Sequence, residues 1–194
     1  SRFPAIKGLQ VEDFVGQVEY LRRHYNMVRG EDVLEAVRSG AADALPPRAA
    51  LLTFDDGYLD HYTCVFPVLD RLKIGGCFFP PARCVLDRCV LDVNKIHFVL
   101  ASAGDPGKLV QRILELVDEH RAEFGLEPRE AYLQKYAVAS HQDPKEVMFV
   151  KRMLQKGLPG ALRNRIVDSL FATWVTSDEA AFAGELYMSP GQVS

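Results

Sequence analysis

The sequence has no apolar run long enough to span a bilayer, no block of lysine or arginine, and no CxxC pair. Each absence removes a class of function. Without a long apolar run there is no membrane span, and the first residues, SRFPAIKGLQ, lack the charged head and apolar stretch of a signal peptide. A soluble, cytoplasmic protein is therefore the expectation for the chain as given. A formal charge of -3 with no basic cluster supplies no field to attract nucleic acid or an anionic membrane. The four cysteines, Cys64, Cys77, Cys84 and Cys89, are too few for a disulfide-dense scaffold, so reduced and mostly buried thiols are expected. A zinc knot from Cys77, Cys84, Cys89 and His97, or a Cys84–Cys89 disulfide, is a weaker alternative.

The 194 residues, 48% of them hydrophobic, are enough for one buried core, with room for a subdomain. Val11, Phe14, Val18 and Leu21 recur at three- and four-residue steps and predict a helix from Val11 to Tyr25. A second helix is expected from Glu31 to Arg38, stopped at Ser39-Gly40. After Pro46 and Pro47, the run AALLTF at 49–54 has the length and apolarity of a strand covered on both faces. Helix or irregular chain from Asp60 to Leu72 and a strand at GCFFP, 76–80, complete a parallel β-α-β unit, hence an α/β class. Beyond Pro81 the periodicity is helical for about ninety residues. There Leu162, Ile166, Leu170 and Trp174 form one stripe behind Pro159, Met148 and Met153 read as core, and the arginines of RNRIV read as a solvated face. Thr176 and Glu179 are spaced for a capping box. Exposed helical stripes leave a homo-oligomer open.

The chemistry concentrates in LLTFDDGYLD, residues 51–60. A strand ending in Asp55-Asp56-Gly57 delivers two carboxylates to the edge of a parallel sheet where ligands of α/β folds bind. Successive strand residues point to opposite faces, so the two acids share a site only if the chain turns, which Gly57 allows. A divalent cation would then explain the pair, one carboxylate ligating it and the other removing a proton from water. The competing account is local: Asp-Gly is a turn dipeptide, and either aspartate can cap the following helix.

A wider match favours the first account. LLTFDDGYLDHYTCVFPVLDRLKIGGCFF resembles the signature of the polysaccharide deacetylase family, and the likeness extends over about Phe3 to Phe79, most specifically at residues 53–58. The resemblance implies a partial or distorted (β/α) barrel carrying a large helical insertion, divided as 1–82 barrel, 83–184 insertion and 185–194 return to the barrel. It implies an N-deacetylase acting on N-acetylated sugars of a polysaccharide or glycan precursor. Asp55 would be the general base, Asp56 a ligand of a divalent metal, most often zinc, and Thr53, Gly57 and Tyr58 would shape the loop. The family completes its metal site with two histidines four residues apart. His24, His61, His97, His120 and His141 include no such pair, and catalytic zinc usually takes three protein ligands. His97 is a weak substitute ligand, read first as a satisfied or partly buried structural side chain, and His61 is a weak neighbour of the site. ELYMSPGQVS at the end resembles the helix start that precedes the histidine segment in relatives, and Ser1 to Leu9 the loop after the first strand. The expectation is thus a fragment, inactive alone, of a longer deacetylase. The alternative is a non-catalytic deacetylase-like domain for binding or assembly. A magnesium phosphatase of the haloacid-dehalogenase kind needs Asp-x-Asp-Gly-Thr, which Asp55, Asp56 and Tyr58 do not provide.

Overall fold

The computed structural model describes residues 2–6 and 8–194; Ser1 and Lys7, both in the N-terminal segment named above, lie outside the described residues. The chain folds as two compact units. One is Gly8–Cys89 with Ala180–Ser194, and the other is Val90–Glu179 with residues 2–6.

The first unit opens with α1, Val11–His24, whose acidic residues Glu12 and Asp13 lie in the first turn and whose basic residues Arg22, Arg23 and His24 lie in the last, the order that complements the helix dipole. Strand β1, Asn26–Met27, follows, then α2, Gly30–Ser39, which starts where Asp32 Oδ2 accepts the Arg29 N–H at 2.8 Å and stops at Gly40 in the left-handed conformation. After a short 3-10 turn, β2, Ala49–Ala50, and β3, Leu52–Asp55, are separated by Leu51 alone. One continuous run therefore pairs first with β1 (Asn26↔Ala49, Met27↔Ala50) and then with β4, Gly76–Phe79, both in parallel. The crossover between β3 and β4 contains a π-helical turn, His61–Val65, leading into α3, Phe66–Leu72. Its cause is local. Phe66 N–H reaches back to His61 O, and the next residue, Pro67, has no N–H with which to continue the ordinary ladder. A short α4, Ala82–Leu86, leaves Cys84 buried.

The second unit is helical: α5, Asp92–Ser102; α6, Pro106–Glu119; α7, Arg121–Phe124; α8, Arg129–Tyr136; α9, Lys145–Arg152, continued by a π turn at Met153–Gly157; and α10, Gly160–Trp174. Helix α5 packs on α10 and α6 on α9. Ile96, Leu109, Ile113, Phe149, Met153, Leu162 and Ile166 fill that core, and Trp174 ends the α10 stripe half-buried. Arg165 is exposed, whereas Arg163 is half-buried and donates to Gln155 O. The chain closes with α11, Glu179–Leu186, and α12, Pro190–Val193, which Ser189 and Gln192 cap reciprocally.

The Thr176–Glu179 capping box does not form. Helix α11 begins only at Glu179, Thr176 Oγ1 accepts from Asp178 N–H at 3.1 Å, and the Glu179 carboxylate is turned to Val90 N–H and Lys95 Nζ instead. The described strands make two parallel pairs and no closed barrel. Among the described residues no helix is long and apolar enough to cross a membrane.

Candidate active site

The register of β3 on β4 is Thr53↔Cys77, Phe54↔Phe78 and Asp55↔Phe79. Because side chains alternate along a strand, Phe54 and Phe78 share one face, stacked with centroids 4.9 Å apart, and Phe14 of α1 meets Phe54 edge-on at 6.2 Å. Thr53 and Asp55 point to the other face and are exposed. Beyond Asp55 the strand geometry ends. Asp56 has φ 69° and Gly57 φ 65°. Aspartate is among the few L-residues whose short polar side chain tolerates the left-handed region. Two such residues in succession turn the chain sharply, which is the condition for adjacent strand residues to serve one site.

Glycine at 57 is a steric requirement as well as a torsional one, since a Cβ there would lie 2.7 Å from Pro80 Cβ and 2.9 Å from Pro80 Cα. Gly57 O accepts Met188 N–H at 2.9 Å, so the turn is held between the end of β4 and the segment after α11. Tyr58 Oη donates to Asp56 Oδ2 at 3.0 Å. The Tyr58 ring in turn stacks on Tyr187 with centroids 5.9 Å apart and planes 12° apart, and the two residues form an antiparallel bridge. Helix capping is not what occupies Asp56: the helical turn at His61 follows Asp60 with no side-chain cap hydrogen bond.

His61 sits against the rings of Phe54, Tyr58 and Phe78, at centroid distances of 5.6, 5.7 and 5.8 Å. Burial lowers its pKa below the usual histidine value, and the charges of Asp60, Asp56 and Asp55 oppose that shift without cancelling it. The imidazole is therefore neutral near pH 7, and its buried Nδ1 has no hydrogen-bond partner. All three aspartates lie close enough to act on the ring, which gathers Asp55, Asp56, Tyr58 and His61 at one strand end.

His97 is on α5 in the other unit, and it is exposed, not partly buried. The four thiols are free; Cys84 is buried, and burial first, then Cys89, pushes its pKa up to about 11. Among the described residues no three His, Cys, Asp or Glu side chains form a group able to hold a metal ion. Asp55 and Asp56 offer two carboxylates where catalytic zinc takes three protein ligands, so these residues do not by themselves fit a zinc ion. Tyr187, Met188 and Pro80 belong to the site's support and carry no chemistry of their own. For Tyr187 and Met188 the signal in the sequence was the ELYMSP segment, which marks a return of the chain without saying what it touches, and for Pro80 it was the end of the GCFFP strand.

Part of the chain is similar to named enzymes. Over 65 residues, 33% of this chain, it is 40% identical to the poly-β-1,6-N-acetyl-D-glucosamine N-deacetylase of Escherichia coli strain K12, and equally to that of Escherichia coli O157:H7. The match spans 9% of the length of each of these relatives. No family model matches the chain, and no solved structure does.

Proposed function

We propose that the chain carries the carboxylate side of an amide-hydrolase site that removes acetyl groups from N-acetylated sugars of a polysaccharide such as poly-N-acetylglucosamine. The observation that carries this is the Asp55–Asp56 pair at the carboxyl end of a parallel strand, with Asp56 turned by its left-handed backbone and held by Tyr58. The partial similarity to polysaccharide N-deacetylases supports the same reading. In it, the two strand pairs are part of a distorted (β/α) barrel, and the helical residues between Cys89 and Ala180 are inserted into it.

Asp55 acts as the general base. It takes a proton from a water as the water oxygen bonds to the acetamide carbon, the C–N bond then breaks, and the proton passes to the departing amine, leaving acetate. Asp56, oriented by the Tyr58 hydroxyl, is offered as a ligand of a divalent metal, zinc first. Such an ion would supply Lewis-acid polarisation of the carbonyl. The further ligands it needs are not among the described residues. Thr53, Gly57 and Tyr58 shape the loop, and His61 packs behind it as a neutral ring.

A second reading is favoured by the donor count: with no group of three metal-binding side chains among the described residues, the same fold would serve as a non-catalytic module that binds sugar or assembles with other chains. Acetate release from a β-1,6-linked N-acetylglucosamine oligomer separates the two. Asp55→Asn lowers the rate by about a hundredfold or more if Asp55 is the base. Bound metal, measured by elemental analysis, falls in Asp56→Ala. Absence of acetate release and of bound metal in the unaltered protein selects the non-catalytic module.

A further inference from the structure

We propose that Phe79 is the platform on which the substrate's sugar ring or acetyl methyl rests beside Asp55, and so a positioning residue of the site. This rests on the reading of the site as one for N-acetylated sugars.

Phe79 is the cross-strand partner of Asp55 in the β3–β4 register. Neighbours in register on parallel strands project to the same face, so the ring and the carboxylate leave the sheet side by side. The alternation is confirmed from the opposite face, where Phe54 and Phe78, the preceding register pair, stack on one another. Phe78 is half-buried, whereas Phe79 is 56% exposed.

A single exposed apolar side chain is ordinary on a protein surface. What distinguishes this one is its surroundings. The residue after it, Pro80, is the contact that excludes any side chain at Gly57, so the turn bearing Asp56 is seated on the chain immediately following Phe79. An aromatic ring is thus held on a rigid strand end next to the first carboxylate and one residue from the support of the second. The strand backbone around it pairs with β3, which fixes the point from which the ring leaves the sheet beside Asp55.

The chemistry that suits such a ring is amphipathic. A pyranose presents one face of C–H bonds, and an acetamide presents a methyl, while their hydroxyl and amide groups remain free for polar partners. Binding sites commonly combine an apolar wall of this kind with a few placed polar groups. Here the polar group is Asp55, which must reach the water attacking the acetamide carbon, so apolar packing beside it would set the depth and orientation of that carbon without competing for its hydrogen bonds.

The test is a calorimetric titration of the protein, and of Phe79→Ala and Phe79→Tyr, with a β-1,6-linked tetramer of N-acetylglucosamine, with unfolding midpoints recorded for all three. Phe79→Ala is expected to weaken binding about fivefold to tenfold, the effect of losing one stacked aromatic contact. Phe79→Tyr, which keeps the ring, should bind within about twofold of the unaltered protein. All three should unfold at the same temperature, because the side chain is not part of the core. Equal affinity of Phe79→Ala and the unaltered protein overturns the inference and leaves the functional reading standing. No binding by the unaltered protein overturns both. Loss of binding in Phe79→Ala together with a lowered unfolding midpoint, and no rescue by Phe79→Tyr, also overturns it, since the ring would then serve the fold.

Discussion

The Tyr58 hydroxyl donates to Asp56 Oδ2 across 3.0 Å, and the same ring lies parallel to Tyr187. The bond orients a carboxylate whose backbone is already in a sparsely populated conformation. Tyr58→Phe keeps the stack and removes the donor. Its expected stability cost is about 1 kcal/mol, the net worth of one part-exposed hydrogen bond. If Asp56 must be aimed for function, the turnover of an N-acetylated sugar oligomer should fall about tenfold with KM little changed, because orientation matters most in the transition state. Steady-state kinetics beside a thermal melt reads both. An unchanged turnover would mean that the tyrosine serves only the packing against Tyr187.

Gly57 joins the two halves of the site's support. A methyl group there meets Pro80 at 2.7 Å, and the φ of 65° disfavours any L-side chain before that clash is counted. Gly57→Ala should therefore destabilise the protein by about 2 to 4 kcal/mol, the left-handed penalty added to local overpacking. Shortening the neighbour instead, as Pro80→Gly, removes the 2.7 Å contact with Cβ and leaves the 2.9 Å contact with the backbone Cα and the torsional part. The double substitution should recover some of the loss in a denaturant titration. Full additivity of the two losses would show that Pro80 is not what confines the turn.

The strands around the site were legible in the sequence because their limits are chemical: a proline pair ahead of β2, Asp-Asp-Gly after β3, and Pro80-Pro81 after β4. The α10 stripe was legible for a related reason, since Leu162, Ile166 and Leu170 keep helical spacing and end fully covered. The break of the strand at Leu51 was not, because it reflects a change of hydrogen-bonding partner from β1 to β4, and no single residue marks such a change. Nor was the π turn at His61, although Pro67 could have signalled it. The Thr176–Glu179 box shows the opposite failure. Local spacing was right, but Glu179 had a stronger use at Val90 and Lys95, residues more than eighty positions earlier in the chain. Long-range partners of this kind, like Tyr187 for Tyr58, leave no local pattern.

Among the described residues, Lys95 is the buried charge of the helical unit. Its side chain is 6% exposed, its ammonium lies 2.5 Å from Asp168 Oδ1 and 2.9 Å from Glu179 Oε2, and Glu179 Oε1 also accepts Val90 N–H at 2.7 Å. Burial alone would lower the lysine pKa, but the hydrogen bonds to Asp168 and Glu179, with their charges, outweigh it, and the net shift is upward. A group whose pKa is raised on folding adds stability at every pH below its unfolded value, near 10.4 for lysine, and that stability disappears as pH rises through the folded value. Urea titrations from neutral pH to above pH 11 should therefore show the unaltered protein losing an increment that Lys95→Met does not lose. The two substitutions at the pair should also differ in size. Lys95→Met leaves Asp168 free to hydrate and Glu179 still bonded to Val90, whereas Glu179→Ala strips the lysine of one of its two anions and leaves the Val90 N–H without that acceptor. Glu179→Ala is expected to cost about 3 kcal/mol and Lys95→Met clearly less. If the order is reversed, the ammonium stabilises the unit chiefly by holding α5 to α10 through Asp168, and the Glu179 contact at the start of α11 is secondary.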